Sequence, residues 1–201
     1  MPDDRTVTTS NRDTSNRDTS LRDTSNRDTS RPDDSATGLG SAIVVTPIGP
    51  LTIIASDVGL RAVLWPDDEG RVPLAGTVER PDHPVLVATA EQLREYFSGE
   101  RREFDLPLDP VGSRFQRDVW EALRTIDYGD TISYGEQAAR MGDRRKARAV
   151  GAANGKNPIS IIVPCHRVVG ADGSLTGFAG GLATKAWLLD HERQVRFAAV
   201  D

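Results

Sequence analysis

Ser133-Tyr134-Gly135-Glu136-Gln137-Ala138-Ala139-Arg140-Met141-Gly142-Asp143-Arg144-Arg145-Lys146-Ala147-Arg148-Ala149-Val150-Gly151-Ala152-Ala153-Asn154-Gly155 is the stretch on which the fold turns. Ser133 with Glu136 has the form of a capping box, in which each side chain bonds the other's backbone N–H. It opens a short helix to about Arg140. Met141-Gly142 turns the chain, and Asp143 can cap a further helix from Arg144 to about Ala153, closed by Asn154-Gly155. Two short helices about a glycine-containing turn read as a helix-turn-helix. The second carries Arg144, Arg145, Lys146 and Arg148 among small Ala147, Ala149, Ala152 and Ala153. Such a cluster fits a solvated face as well as an anion-binding one. The small side chains beside it favour close approach to DNA.

Upstream, Ser113 with Gln116 is another capping box, and Phe115, Val119, Ala122, Leu123 and Ile126 recur at helical spacing behind it. Tyr128-Gly129-Asp130 breaks that helix. Further back, Ala42–Thr46, Leu51–Ala55 and Leu60–Trp65 are short apolar or β-branched runs. Pro47-Ile48-Gly49-Pro50 and Asp57-Val58-Gly59 punctuate them, which predicts an antiparallel meander. Leu86, Ala90, Leu93 and Phe97 then mark a helix ending at Ser98-Gly99. The expected class is α/β (α+β), with a small sheet-and-helix half followed by a mostly helical half.

Residues 1–40 form a tail of a different kind. Asn11-Arg12-Asp13-Thr14-Ser15 recurs with one change through Ser30. A five-residue period matches neither strand nor helix and offers no apolar face, so the tail is expected to be disordered.

Downstream, Ile159–Val163 is a buried-strand candidate that leads into Pro164-Cys165-His166-Arg167. Cys165 is the chain's one cysteine, so neither an internal disulfide nor a thiolate zinc site is available. A lone cysteine is most often a small buried hydrophobe. This one follows a proline and precedes His166 and Arg167, which suits a thiolate nucleophile that needs a base or cation nearby. On a strand, successive side chains diverge, so contact between Cys165 and His166 calls for a turn or a bridging water. Glu192 is a candidate partner for His166, on a helix whose Leu182, Ala186 and Leu189 would face inward.

Net charge is −5, but it is unevenly placed. Residues 111–201 carry 13 basic and 10 acidic groups, and between Arg144 and Arg167 there are six cations and no acid. A basic footprint on an acidic protein suits an anionic partner docked at one face. No apolar run approaches membrane-spanning length and the N-terminus lacks a signal-peptide core, so a cytoplasmic protein is expected.

Gly129 to Tyr134, Arg148-Ala149-Val150-Gly151, Asn157-Pro158, Ile161 to Val169, Thr176 to Leu182 and Leu188 to Glu192 together resemble the O6-alkylguanine-DNA alkyltransferases. The resemblance covers residues 110–195 in order, and more loosely the meander. It implies a ribonuclease-H-like domain at 41–109 and a DNA-binding, alkyl-accepting domain with a winged or helix-turn-helix motif at 110–201. It further implies direct repair of O6-alkylguanine, with O4-alkylthymine left open, by one irreversible transfer to Cys165.

In that pattern His166 deprotonates Cys165 through a water, Glu192 orients His166, and Tyr134 donates to a guanine ring nitrogen. Arg148 fills the gap left by a flipped nucleotide, while Arg144, Arg145, Lys146, Ala147 and Ala149 line the minor groove of double-stranded DNA. Val168, Phe178, Ala179 and Gly180 wall the guanine pocket, and Asn157 and Pro164 shape the turn before Cys165. Family members often have tyrosine and serine where this chain has Phe178 and Ala179. No cofactor or metal is implied: with His83 the only histidine in the first half, the zinc site of some members cannot form. A monomer is expected, with cooperative binding along DNA left open. A non-catalytic lesion binder would lack Cys165, and a transcription factor would leave Pro164-Cys165-His166-Arg167 without a purpose.

Overall fold

The computed structural model describes residues 38–68 and 76–198; the repeat tail lies outside them. Strands β1 (Gly40–Thr46), β2 (Gly49–Ala55) and β3 (Leu60–Leu64) form the antiparallel meander. Alternation in β1 leaves Ile43 and Val45 outward, 71% and 86% exposed. A two-residue strand β4 (Val78–Glu79), which no sequence pattern announced, pairs in parallel with Gly40 and Ser41. The sheet order is β3-β2-β1-β4.

Helix α1 (Pro84–Ser98) packs against this sheet through Leu86, Thr89, Leu93 and Tyr96, and ends on Gly99 in a left-handed conformation (φ 82°). Tyr96 is buried and its neighbour Phe97 only partly so. The inward stripe therefore runs through Leu86, Leu93 and Tyr96.

The free edge of β3 receives two later segments. Leu60 N–H donates to the Pro107 carbonyl and Asp109 N–H to the Leu60 carbonyl, both at 2.8 Å. Gly59 is required by this approach, because a Cβ there would lie 2.6 Å from the Pro107 oxygen. Three residues after Leu60, Val63 N–H donates to the Pro158 carbonyl at 2.9 Å. The sheet thus holds the segment that leads into Cys165.

Helices α2 (Arg114–Leu123), α3 (Tyr134–Arg140) and α4 (Ala147–Asn154) form the helical half. Both capping boxes are present: Ser113 accepts from Gln116 N–H, Ser133 from Glu136 N–H, and each partner side chain returns the bond. The inward face of α2 is Val119, Trp120 and Leu123, whereas Phe115 is 37% exposed. Trp120 displaces it because its indole N–H finds the Ala153 carbonyl at 2.9 Å inside the core. A buried amide pair, Gln137 with Asn154, ties α3 to α4. Residues Arg144–Lys146 form a 3-10 turn instead of the first turn of α4, with Asp143 accepting from Arg145 N–H.

Strands β5 (Ile132–Ser133) and β6 (Val168–Val169) pair in parallel. Helix α5 (Gly181–Ala198) closes the fold. Its buried face is Lys185, Leu188, Leu189 and Glu192, while Leu182 is 49% exposed. The expected apolar stripe was rotated because two of the inward positions carry charged side chains. One apolar core runs from Leu51 and Leu93 through Trp120 and Val150 to Cys165 and Leu188.

The inward face of α5 gives a direct test. Leu188→Ala should cost about 2–5 kcal/mol in urea unfolding, and Leu182→Ala should stay within about 0.5 kcal/mol of the parent. Comparable losses at both positions would mean that the helix is rotated from the face described.

Candidate active site

The segment before Cys165 is a compact turn, where a strand over Ile159–Val163 was expected. Two local features prevent a strand. Pro158 has no N–H to donate, and the Asn157 side chain takes the place of a ladder: its Nδ2 donates to the Val163 carbonyl at 2.8 Å and its Oδ1 accepts from Ile159 N–H at 3.0 Å. Ile161 is consequently held at φ 72°, the one non-glycine residue with positive φ among those described. A β-branched side chain pays strain there, which the surrounding packing must hold.

Pro164 then caps a 3-10 turn, Cys165–Arg167, in which all three side chains are buried. Cys165 is buried, with 7% of its surface exposed. The earlier concern that His166 would point away from Cys165 applied to a strand; in a 3-10 turn successive side chains are only about 120° apart.

His166 is fully buried and its Nε2 lies 2.8 Å from Glu192 Oε1. Glu192 is also fully buried and collects four more donors. Arg167 donates through Nε to Oε2 (2.9 Å) and through Nη2 to Oε1 (3.0 Å), the Tyr96 hydroxyl donates to Oε1 (2.9 Å), and Gly129 N–H to Oε2 (2.9 Å). Burial alone would raise the Glu192 pKa, but His166 and Arg167 outweigh it and hold the carboxyl well below the usual range. An ionised Glu192 accepts, so His166 Nε2 carries the proton and Nδ1 presents its lone pair. That Nδ1 is buried without a hydrogen-bond partner among the described residues. Burial pushes the His166 pKa down, against the pull of Glu192, so the ring is neutral at pH 7 and able to take a proton.

Tyr134 begins α3, and its hydroxyl donates to the Thr176 carbonyl at 3.2 Å. Phe178 is partly buried, edge-on to His166 with ring centroids 6.4 Å apart, and Ala179 beside it is exposed. Val168 is buried, and its carbonyl accepts from Lys185 Nζ at 2.6 Å. Arg144, Arg145, Lys146, Arg148 and Ala149 are exposed around the start of α4, with Ala147 partly covered. Among them Arg145 pairs with Asp143. The exposed flank of α4 is therefore small side chains and arginine, with Val150 and Ala153 on its buried side.

Four participants were not read from the sequence. Tyr96 reaches Glu192 from α1, Arg167 holds that carboxylate with two bonds, and Gly129 supplies a backbone donor. Lys185, fully buried, joins the Val168 and Thr176 carbonyls at 2.6 and 2.8 Å. Burial lowers its pKa, and interaction with a Cys165 thiolate draws it back up. The signal for Lys185 was available, since it shares an i, i+3, i+4, i+7 face with Leu188, Leu189 and Glu192. Among the described residues no group of three His, Cys, Asp or Glu side chains could hold a metal ion, and no helix is long and apolar enough to cross a membrane.

Comparison with known proteins adds the relationships of this arrangement. Residues 41–110 match the family model described as the 6-O-methylguanine DNA methyltransferase ribonuclease-like domain, and residues 114–194 its DNA binding domain. A methylated-DNA–protein-cysteine methyltransferase of Mycolicibacterium paratuberculosis is 50% identical over 151 residues, 75% of this chain and 90% of that one. One from Shigella flexneri is 47% identical over 158 residues, covering 74% and 92%. A crystal structure of Mycobacterium tuberculosis OGT in complex with DNA is similar with a TM-score of 0.73 at 44% identity, over 78% of this chain and 94% of that one.

The buried pair makes stability depend on acid in a set direction. Both pKa values are lower folded than unfolded, so the stabilisation is complete above the unfolded values, about 6.5 for histidine and 4.3 for glutamate, and is lost as pH falls toward the folded ones. At pH 7, Glu192→Gln should cost about 3–5 kcal/mol, because Arg167 loses its buried counter-charge. In chemical unfolding from pH 7 down to pH 3 the gap between parent and variant should narrow once pH drops below about 4.3. A gap that is constant or widens between about pH 4.3 and pH 3 would contradict a charged Glu192.

Proposed function

The chain belongs to the 6-O-methylguanine DNA methyltransferase family, and we propose on that premise that it repairs DNA directly, moving the alkyl group of O6-alkylguanine onto the sulfur of Cys165. The observation that carries the chemistry is His166. It follows Cys165 on one tight turn, has Nε2 committed to Glu192, and keeps a buried Nδ1 that has no hydrogen-bond partner among the described residues.

Cys165 loses its proton through a bridging water to Nδ1, and Glu192 stabilises the imidazolium that forms. The thiolate attacks the alkyl carbon. A carbon–sulfur bond forms as the carbon–oxygen bond breaks, and the electron pair of that bond passes to the guanine. Tyr134, whose hydroxyl here donates to Thr176, turns to the guanine ring nitrogen and offsets the charge on the leaving base. Lys185 supports this step by holding the Val168 and Thr176 carbonyls, so that strand β6 and the pocket loop stay in register. The second lone pair of the Val168 carbonyl reads the guanine amino group. The Ala179 N–H faces the alkylated oxygen, and Phe178 and Gly180 complete the wall.

A thioether is a poor leaving group, so each molecule reacts once. No cofactor is needed, because thiol and alkylated base are the only reactants. The named groups need no residue from a second subunit, which supports action as a monomer. The target oxygen is reached by flipping the nucleotide out of the duplex, since a stacked base hides it from a buried sulfur. Helix α4 enters the minor groove with its Ala147 and Ala149 side, Arg148 fills the place of the flipped base, and Arg144, Arg145 and Lys146 hold phosphates. O4-alkylthymine presents the same oxygen–alkyl bond and is the second substrate to try.

Mixing the protein with duplex DNA containing O6-methylguanine, then weighing the Cys165 peptide, should show one methyl group gained per molecule and no further turnover. Continued turnover, or DNA binding with no mass gain, would sink the reading. Arg148→Ala should slow repair of duplex DNA more than reaction with the free alkylated base. Equal slowing on both would remove Arg148 from base flipping.

A further inference from the structure

Trp65 lies just beyond β3, in the sheet-bearing half of the chain, yet it touches both segments that flank the reactive sulfur. Its indole Nε1–H donates to Ser160 Oγ at 3.3 Å, inside the turn that leads to Cys165. On its other side it meets the pocket loop. The Phe178 ring stands edge-on to it with centroids 5.6 Å apart, and a Cβ built on Gly180 would fall 2.7 Å from Trp65 Cε2. Asp68 fixes the chain there, its N–H donating to the Trp65 carbonyl and its carboxylate accepting from Trp65 N–H, both at 3.1 Å, and the ring is buried.

We propose that Trp65 is a positioning residue that sets the size of alkyl group the site accepts, by fixing how far the Phe178–Gly180 loop can withdraw from Cys165 and His166. The inference rests on the alkyl-transfer reading above and adds its size limit. The Phe178 ring is edge-on to both Trp65 and His166, so where the loop rests against the indole sets where Phe178 rests against the histidine beside Cys165. Glycine at 180 allows the closest approach that loop and indole can make. Its backbone is not in the left-handed region, so alanine there is strained only by contact with the indole. The indole is held by Ser160 and by burial, and Gly180 is less buried, so the loop is the part that yields.

The test compares second-order rates of Cys165 alkylation by duplex DNA carrying O6-methylguanine and by the same duplex carrying O6-benzylguanine. Gly180→Ala should push the loop toward His166 and lose roughly tenfold more rate on the benzyl substrate than on the methyl one, the scale at which pockets discriminate small groups. Trp65→Phe removes part of the indole while keeping an aromatic core residue. It should shift the preference toward benzyl by itself, and in the Gly180→Ala background it should recover most of the lost benzyl rate. A purely structural role for Trp65 would change both rates by one common factor.

The proposal is overturned if Gly180→Ala slows both substrates equally, or if phenylalanine at 65 leaves the benzyl loss in place. These failures are distinguishable from failure of the parent reading. If the unaltered protein alkylates Cys165 from neither duplex, the transfer chemistry itself is wrong and the size limit falls with it. If it reacts with the methyl duplex and the ratios do not move, only the assignment of Trp65 is wrong.

Discussion

The Glu192 carboxylate is the point at which the fold and the chemistry meet. Taking a carboxylate out of water costs several kcal/mol, which is repaid only by close, well-directed donors. Here five hydrogen bonds arrive from three other parts of the chain: Tyr96 on α1, Gly129 after α2, and His166 and Arg167 in the turn that carries Cys165. The groups that orient the base therefore also dock α5 onto the rest of the molecule. Burial of the ring, with a smaller push from the Arg167 charge, outweighs the pull of Glu192 and holds the His166 pKa down.

The sheet is more than a neighbouring layer. The edge of β3 bonds the Pro158 carbonyl, Trp65 bonds Ser160 and packs on Gly180, and Tyr96 reaches Glu192. The first two contacts end on the turn and loop that frame Cys165 and the third on the carboxylate that holds His166, so residues of the meander and of α1 help to set where these groups lie. The apolar core that runs through both halves makes this a stiff support.

Much of the architecture was legible because it is local. Capping boxes, glycine punctuation and alternation located the meander, α1, α3 and the start of α2 to within a residue or two, while α2 ends at Leu123, short of the expected Ile126. Cys165, His166 and Glu192 were legible as candidates through residue type and family pattern. What sequence could not supply was long-range geometry. Phe115 and Leu182 fit an apolar period, yet Trp120 and the pair Lys185 and Glu192 face inward, because buried polar groups with good partners compete successfully with apolar ones for those positions. The run Ile159–Val163 has strand composition but no room for a ladder. An amide side chain two residues before it closed a turn, and composition alone does not register such an override.

That turn has a consequence for the robustness of the sulfur's position. A strand places its side chains by register, and a slip of one residue would send every one of them to the opposite face. The Asn157 clamp has no register to slip: two bonds from one amide close a loop of fixed length, and Cys165 follows at a fixed distance along the chain. Changes in strand length or pairing elsewhere in the sheet can shift the platform without inverting the nucleophile. Chain drift in the scaffold is thereby uncoupled from the aim of the one atom that must be right.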